Sequence, residues 1–280
     1  MTSDIVTIES DSDLGCWTAS LWQPAHLARF VERFWYSAGT TSVARERLLP
    51  NGLIELAVCL AEPHRLIEGS GTETLRLCLT GLQTGPMVIE HPGYHRVLGL
   101  RLHPAGAYAL LSLPMREVSG LTVDLRDVVG DAAIELAERC HEAPSVERCF
   151  QLAANWVAER VARSRALDPR IAWSVGRIAE SGGKVPIAEL RDATGLSKTR
   201  LADTFRDQIG VMPKVYARIV RYRRALALLD REDASLAEVA LDAGYYDQSH
   251  MTTEFRELGG LTPREFVTVR YRGSTTALEY

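Results

Sequence analysis

Between Lys214 and Leu229 the residues Lys214, Arg218, Arg221, Arg223 and Arg224 occur with no acid among them. Cations at that density suit phosphate: each one neutralised releases counterions and adds affinity that ignores base sequence and falls with salt. The alternative is a solvated basic face without a partner. Further on, Gln248, Ser249, His250, Thr252 and Thr253 gather amide, hydroxyl, imidazole and methyl groups. In a major groove an amide such as Gln248 pairs with adenine and a threonine methyl meets that of thymine. Arg256 and the earlier pair Lys198 and Arg206 are further candidates for phosphate, and Thr199, Arg200, Ala202 and Asp203 for bases. Asp203 would repel phosphate; it is tolerable only facing a cytosine amino group or paired with Arg200 or Arg206.

The first half offers a different set. His91, His95, His103 and Glu90 are metal-ligating types, but there is no H-x-H pair with a following glutamate, and Pro92-Gly93 interrupts the His91 to His95 spacing. No metal and no cofactor are expected. G-x-S-x-G, P-loop, H-E-x-x-H and dinucleotide glycine patterns are all missing, so the chain is not expected to be an enzyme. Trp35, Tyr36 and Leu98, with Glu55, His95 and Arg101 as polar anchors, are candidates for a ligand pocket. The same side chains could equally fill an ordinary core.

The elements that must position the basic and polar sets are written twice. Ala188-Glu189-Leu190 to Gly195 reappears as Ala237-Glu238-Val239 to Gly244, and Phe205, Pro213 and Tyr216 find counterparts in Phe255, Pro263 and Phe266. In each copy a short helix (187–194, 236–243) stops at a glycine able to take positive φ. A second helix then starts behind a capping side chain, Ser197 or Asp247. Leu201, Phe205 and Ile209, and then Met251, Phe255 and Leu258, form apolar stripes. This is the pattern of a helix-turn-helix. Between the copies, Val215, Ile219, Tyr222, Leu226 and Leu229 give the basic helix its buried face.

Gly244-Tyr-Tyr-Asp-Gln-Ser-His-Met-Thr-Thr-Glu-Phe255 followed by Gly260-Leu-Thr-Pro-Arg-Glu-Phe266 closely resembles the AraC/XylS family of transcription regulators. The resemblance is strong from Asp168 to about Arg270. It is weaker, and towards a sensor-bearing subgroup, at Leu49-Pro-Asn-Gly52, His103-Pro-Ala-Gly106 and Asp168-Pro-Arg170. It implies double-stranded promoter DNA as partner, with the second helix of each unit entering successive major grooves about 34 Å apart. It also implies control by a small-molecule effector, pairing of two chains as a homodimer, and contact with RNA polymerase if the regulator is an activator. One position departs from the pattern. The small residue four before the turn glycine is Ala240 in the second copy but Arg191 in the first, so close approach there depends on the arginine snorkelling outward.

The fold class these features imply is α+β: an N-terminal β-barrel or sandwich, cupin-like, then an all-α domain with two helix-turn-helix units. Residues 1–120 are expected as the strand-rich sensor, 121–165 as a helical connector that could pair chains, 166–270 as the DNA-binding domain and 271–280 as a tail. Asn51-Gly52 reads as a tight turn between strands. Further strands are expected at 75–80, 87–90 and 95–102, and helices at 25–35, 105–111, 131–140 and 145–164. Net charge is −4, yet residues 1–164 carry 14 basic and 20 acidic side chains against 18 and 16 in 165–280. Net charge is therefore a poor guide to a nucleic-acid partner here. Five cysteines without a C-x-x-C pair suit reduced thiols, and the polar first residues with no long apolar run suit a cytoplasmic protein. The competing reading is a small-molecule-binding or metal-dependent catalytic barrel carrying a helical appendage for protein contacts.

Overall fold

In the computed structural model, residues 5–164, 166–231 and 235–270 are described, with the backbone of 276–279. Strands β1 (Val6–Ser12), β2 (Gly15–Trp22), β3 (Val31–Thr41), β4 (Arg45–Leu48), β5 (Ile54–Cys59), β6 (His64–Glu68), β7 (Thr74–Leu75), β8 (Leu77–Thr80), β9 (Met87–Glu90) and β10 (Tyr94–Leu102) come first. Helix α1 (Pro104–Leu111), strand β11 (Thr122–Asp124) and helices α2 (Leu125–Val129), α3 (Ala132–His141) and α4 (Val146–Val161) follow. The last part holds α5 (Pro169–Glu180), α6 (Ile187–Thr194), α7 (Lys198–Ile209), α8 (Pro213–Leu229), α9 (Leu236–Ala243), α10 (Gln248–Gly259), α11 (Pro263–Val269) and β12 (Thr276–Glu279).

The strands form two antiparallel sheets, β1-β2-β3-β10-β5-β8-β11 and β12-β4-β9-β6-β7. They are a sandwich rather than a closed barrel. Alternation assigns the faces of the larger sheet. Phe34, Leu56, Leu79, Leu98 and Leu100 are almost fully buried in the main core, which runs without a break into the helical domain. Trp35, Glu55, Cys78, His95 and Arg101 line a cavity on the other face.

Two expectations need correction. The helix expected at 25–35 is a single 3-10 turn, Ala25–Leu27, followed by β3. Leu27, Val31 and Phe34 have helical spacing, but β3 pairs along its length with β2 and β10, and that tertiary pairing overrides the local pattern. The Asn51-Gly52 turn is present, with Gly52 at φ 76° and Asn51 Oδ1 accepting from Leu53 N at 2.9 Å. Its flanking strands do not form a hairpin, because β4 pairs with β9 while β5 pairs with β10 and β8. The chain crosses between sheets at this turn.

Helix α4 lies over the larger sheet. Phe150 stacks on Trp22 at 5.8 Å and meets Phe34 edge-on at 6.4 Å between ring centroids, while Cys149, Leu152, Ala153, Ala154 and Val157 complete the buried stripe. The apolar face considered for pairing chains is thus used within this one. In the expected tail, β12 pairs with β4 from Thr276↔Leu48 to Glu279↔Arg45, while 271–275 and 280 lie outside the described residues. Among the described residues no helix is long and apolar enough to cross a membrane. Phe150→Ala should lower stability by about 3–5 kcal/mol. Urea unfolding followed by far-ultraviolet circular dichroism should show a lower midpoint with an unchanged slope.

Candidate nucleic-acid interface and buried cavity

Both helix-turn-helix units close as their local chemistry dictates. Helices α6 and α9 end at Gly195 (φ 65°) and Gly244 (φ 96°), left-handed positions that glycine takes without strain. Ser197 Oγ then accepts from Arg200 N at 3.2 Å, and Asp247 Oδ1 from His250 N at 2.7 Å, capping α7 and α10. Arg191 does not hold the first unit open. It is exposed and pairs with Asp192, while Leu190 beside it is fully buried.

The duplicated phenylalanines dock on one helix. Phe205 of α7 lies 5.9 Å from Tyr216 and Phe255 of α10 lies 4.7 Å from Tyr222, both tyrosines being on α8. At about 1.5 Å rise per residue, these two seats on α8 are about 9 Å apart along its axis.

An ion-pair cluster adds to the second seat. Glu254 of α10 is 5% exposed, yet its carboxylate accepts from Arg218 Nε at 2.7 Å and from Arg221 Nη2 at 2.9 and 3.0 Å. Arg218 also contacts Glu257. Arg218 and Arg221 were expected to face phosphate. The structure instead commits them to holding α8 against α10, because a carboxylate this buried requires cationic partners.

The remaining polar set is open to solvent. Lys198, Thr199, Arg200, Asp203 and Arg206 on α7 are exposed, as are Lys214 on α8 and Gln248, Ser249, Thr253 and Arg256 on α10; Ala202 and Thr252 are half-buried. Among the described residues Asp203 has no ion pair with Arg200 or Arg206, the pairing that would have neutralised it. The Thr252 and Thr253 hydroxyls donate to the carbonyls of Gln248 and Ser249, which leaves their methyls for other contacts. His250 is exposed as well, and it also braces the turn: its Nδ1 accepts from Tyr246 N at 3.3 Å and its ring meets Tyr245 edge-on. Tyr246, 87% exposed in the same turn, was not singled out from sequence. The signal was there in Tyr245-Tyr246, where only the first ring can serve the core.

The cavity between the sheets measures about 390 Å³. Gly99 makes its floor possible: a Cβ there would lie 1.9 Å from the Trp35 ring, so the indole crosses β10 and its Nε1 donates to Glu55 on β5 at 2.8 Å. Arg101 Nε stands 3.5 Å from Glu55. Of the candidate pocket residues, Trp35, Glu55, His95 and Arg101 come together here. Tyr36 borders the cavity, but it sits on the Phe34 side of β3 near Arg96 and Cys149, where burial pushes its phenol up to about 12. Leu98 is fully buried on the helix-facing side and does not line the cavity. His91 and His95 do meet, joined by His64 and Glu46 instead of His103 and Glu90. Burial, then the neighbouring rings, push the His64 imidazole down to about 4.

A two-unit helix-turn-helix domain on a shared helix is the class of structure present. Residues 190–268 match a helix-turn-helix domain family, and residues 23–124 match a domain of unknown function, DUF6597. The carboxyl-terminal domain is thus similar to the helix-turn-helix domains of transcription regulators of the AraC type. It is 32% identical over 99 residues to the HTH-type transcriptional activator RhaS of Escherichia fergusonii, covering 35% of this chain and 34% of that one. It is 29% identical over 83 residues to the probable transcriptional regulator LumQ of Photobacterium leiognathi, covering 30% and 34%. The chain spans about a third of the length of these relatives. Among solved structures it is similar to ToxT from Vibrio cholerae, with TM-score 0.48 and 11% identity over 84% of this chain and 98% of that one. It is also similar to the C-terminal domain of AraT from Geobacillus stearothermophilus, with TM-score 0.36 and 18% identity over 38% and 89%.

Glu254→Gln should remove the counter-charge of half-buried Arg221, leave Arg218 with Glu257 alone and cost about 3 kcal/mol. Thermal unfolding should show the loss, because the damage is to the seating of α10 on α8. A substitution confined to the outer face, such as Thr253→Ala, should leave the melting temperature within about 2 °C.

Proposed function

We propose that the chain is a sequence-specific transcription regulator that lays α7 and α10 into successive major grooves of promoter DNA and answers to an effector in the inter-sheet cavity. The observation that carries this reading is the pair of capped helices, seated on one spine, whose outward faces hold Thr199, Arg200, Gln248, Ser249 and Thr253 in solvent. Lys198, Arg206, Lys214 and Arg256 supply phosphate contacts; Arg218 and Arg221 act on DNA only through the positions they fix.

The path from cavity to DNA is short. Leu48, Leu49, Pro50, Asn51 and Leu53 line the cavity. A side chain placed at Gly52 would meet Ile219 of α8 at 3.5 Å, and one at Gly259 of α10 would meet Leu49 at 3.4 Å. Two ion pairs join the domains as well, Arg223 to Glu32 at 3.5 Å and Arg116 to Asp207. An effector that repositions the 48–53 segment would therefore bear directly on the helix that spaces the two readers. Pairing of chains and contact with RNA polymerase belong to the same proposal as features of the family.

Selection of binding sites from random duplexes with the full chain tests the proposal, and recovery of no preferred sequence would end it. With the selected duplex, Gln248→Ala should cost about 1–3 kcal/mol and relax preference at one base pair. Lys214→Ala should weaken all sequences alike and reduce the slope of log K against log salt by about 1.

A further inference from the structure

Three imidazoles meet in the cavity wall, brought from both sheets. His64 opens β6, His91 follows β9 and His95 lies on β10. His64 and His95 are each 8% exposed. The ring centroids of His64 and His91 are 4.9 Å apart, and that of His95 is 6.3 and 6.5 Å from them. A sequence search by spacing misses this set, because His64 lies 27 positions before His91 and a separate strand delivers it.

Each ring has an outer partner. His91 Nε2 stands 3.0 Å from Glu46 Oε2, a bond in which the ring N–H donates to the carboxylate. His95 Nε2 is 2.8 Å from Ser37 Oγ, and His64 Nδ1 is 3.7 Å from Cys59 Sγ. With the outer nitrogens so engaged, the inner ones are His64 Nε2 and His91 Nδ1, which face each other at 3.1 Å. His95 Nδ1 is the third: buried, with no hydrogen-bond partner.

We propose that this cluster binds a borderline divalent transition metal of the zinc and cobalt class, so that the effector reaching the cavity is such a cation, alone or with a small molecule completing its coordination. This deepens the effector part of the function proposed above and rests on that reading for its regulatory meaning, but not for the binding itself. Histidines that ligate metals donate their second ring N–H to a carboxylate or other acceptor, which fixes the tautomer and the ring's direction. Glu46 does this for His91, and Ser37 and Cys59 stand in place to do it for the others. Two nitrogens bound to one zinc at about 2.0–2.1 Å each lie a little over 3 Å apart, close to the gap already present between His64 and His91. Nitrogen donors select the borderline cations over magnesium and calcium, which take oxygen.

As the side chains stand, no three such residues are arranged to hold an ion among the described residues. His95 is the ring that has to swing inward. It has room, because His95, His91, Glu46 and Ser37 separate the 390 Å³ cavity from a second void of about 180 Å³ lined by Leu14, Trp17, Thr41 and Val43. A structural hydrogen-bond relay from His64 through His91 to Glu46 is the rival explanation, and it requires neither that space nor an unpartnered His95 nitrogen.

Full-length protein is stripped of metal, titrated with Co²⁺ and then with Zn²⁺, and the bound metal is counted by atomic emission. One Co²⁺ per chain is expected, with the visible d–d absorption of a low-coordinate nitrogen site that Zn²⁺ abolishes. Glu46→Gln keeps the ligands and should weaken binding by about 10–100-fold. His64→Ala/His91→Ala should remove it, and the exposed His141→Ala should leave it unchanged. Failure to bind cobalt, an octahedral aquo spectrum, or uptake retained in the double variant would each overturn the proposal in favour of the relay. If the double variant does not fold by circular dichroism, the spectrum and Glu46→Gln decide. Site selection on the chain both stripped of metal and loaded with it separates the two levels. Selected DNA without metal uptake removes this inference alone, whereas metal uptake without any preferred duplex removes the regulator reading and leaves the metal site.

Discussion

The seating of α7 and α10 on α8 is the constraint on which the rest of the structure turns. A helix that enters a groove can be replaced or tuned, but two helices read one duplex only if their separation and tilt are fixed before DNA arrives. Here the fixing is aromatic at both seats, Tyr216 under Phe205 and Tyr222 under Phe255, and electrostatic at the second, where Glu254 gathers Arg218 and Arg221. The electrostatic part adds direction. Buried ion pairs contribute little net stability against an apolar substitute, yet a carboxylate held by two guanidinium groups from one face of a helix tolerates little rotation of that helix. The α8–α10 angle is set where an apolar contact alone would let it slide.

The spine also belongs to the first domain. The apolar core runs from Leu27 of the strand-rich half to Phe266 of the helical half, and the 48–53 segment lies between the cavity and α8. Because the apolar core is continuous, the two halves share packing, and a packed interface has discrete arrangements rather than a continuum. An occupant of the cavity can shift the helical domain only by as much as its affinity differs between those arrangements. The direct contact of segment 48–53 with both the cavity and α8 is a place where such a difference can arise.

The carboxyl-terminal half was legible because its elements are local. Glycine stops, Ser197 and Asp247 caps and the apolar stripes all act within a few residues, and a duplication shows which features recur. What sequence did not show there was allocation of charge. Arg218 and Arg221 look like their neighbours Lys214 and Arg224 until Glu254, thirty and more positions away, is folded beneath them. The strand-rich half was less legible for the same reason on a larger scale. Leu27, Val31 and Phe34 suit a helix face or a strand edge, and only pairing with β2 and β10 decides. Asn51-Gly52 marked a real turn, but which sheet each flank joins is a matter of partners about 20 to 50 residues distant. The histidine cluster was invisible in part because two of its rings were noticed while the third, with its carboxylate, came from strands that no spacing rule connects.

Reallocating those arginines changes how the proposed interface would work. With Arg218 and Arg221 spent on Glu254, the exposed cations proposed for phosphate are Lys198, Arg206, Lys214 and Arg256. Four contacts give a slope of log K on log salt of about −3.6, so affinity would fall on the order of 100-fold between 50 and 200 mM. That would be a modest electrostatic grip for a DNA-binding protein, and the exposed Asp203 on α7 would reduce it further. In the proposed complex sequence-independent binding would be correspondingly weak, and a larger share of the total would come from base contacts made by both units together. The rigidity of the α8 spine is what allows that: two moderate readers combine fully only when binding the first costs nothing further to place the second.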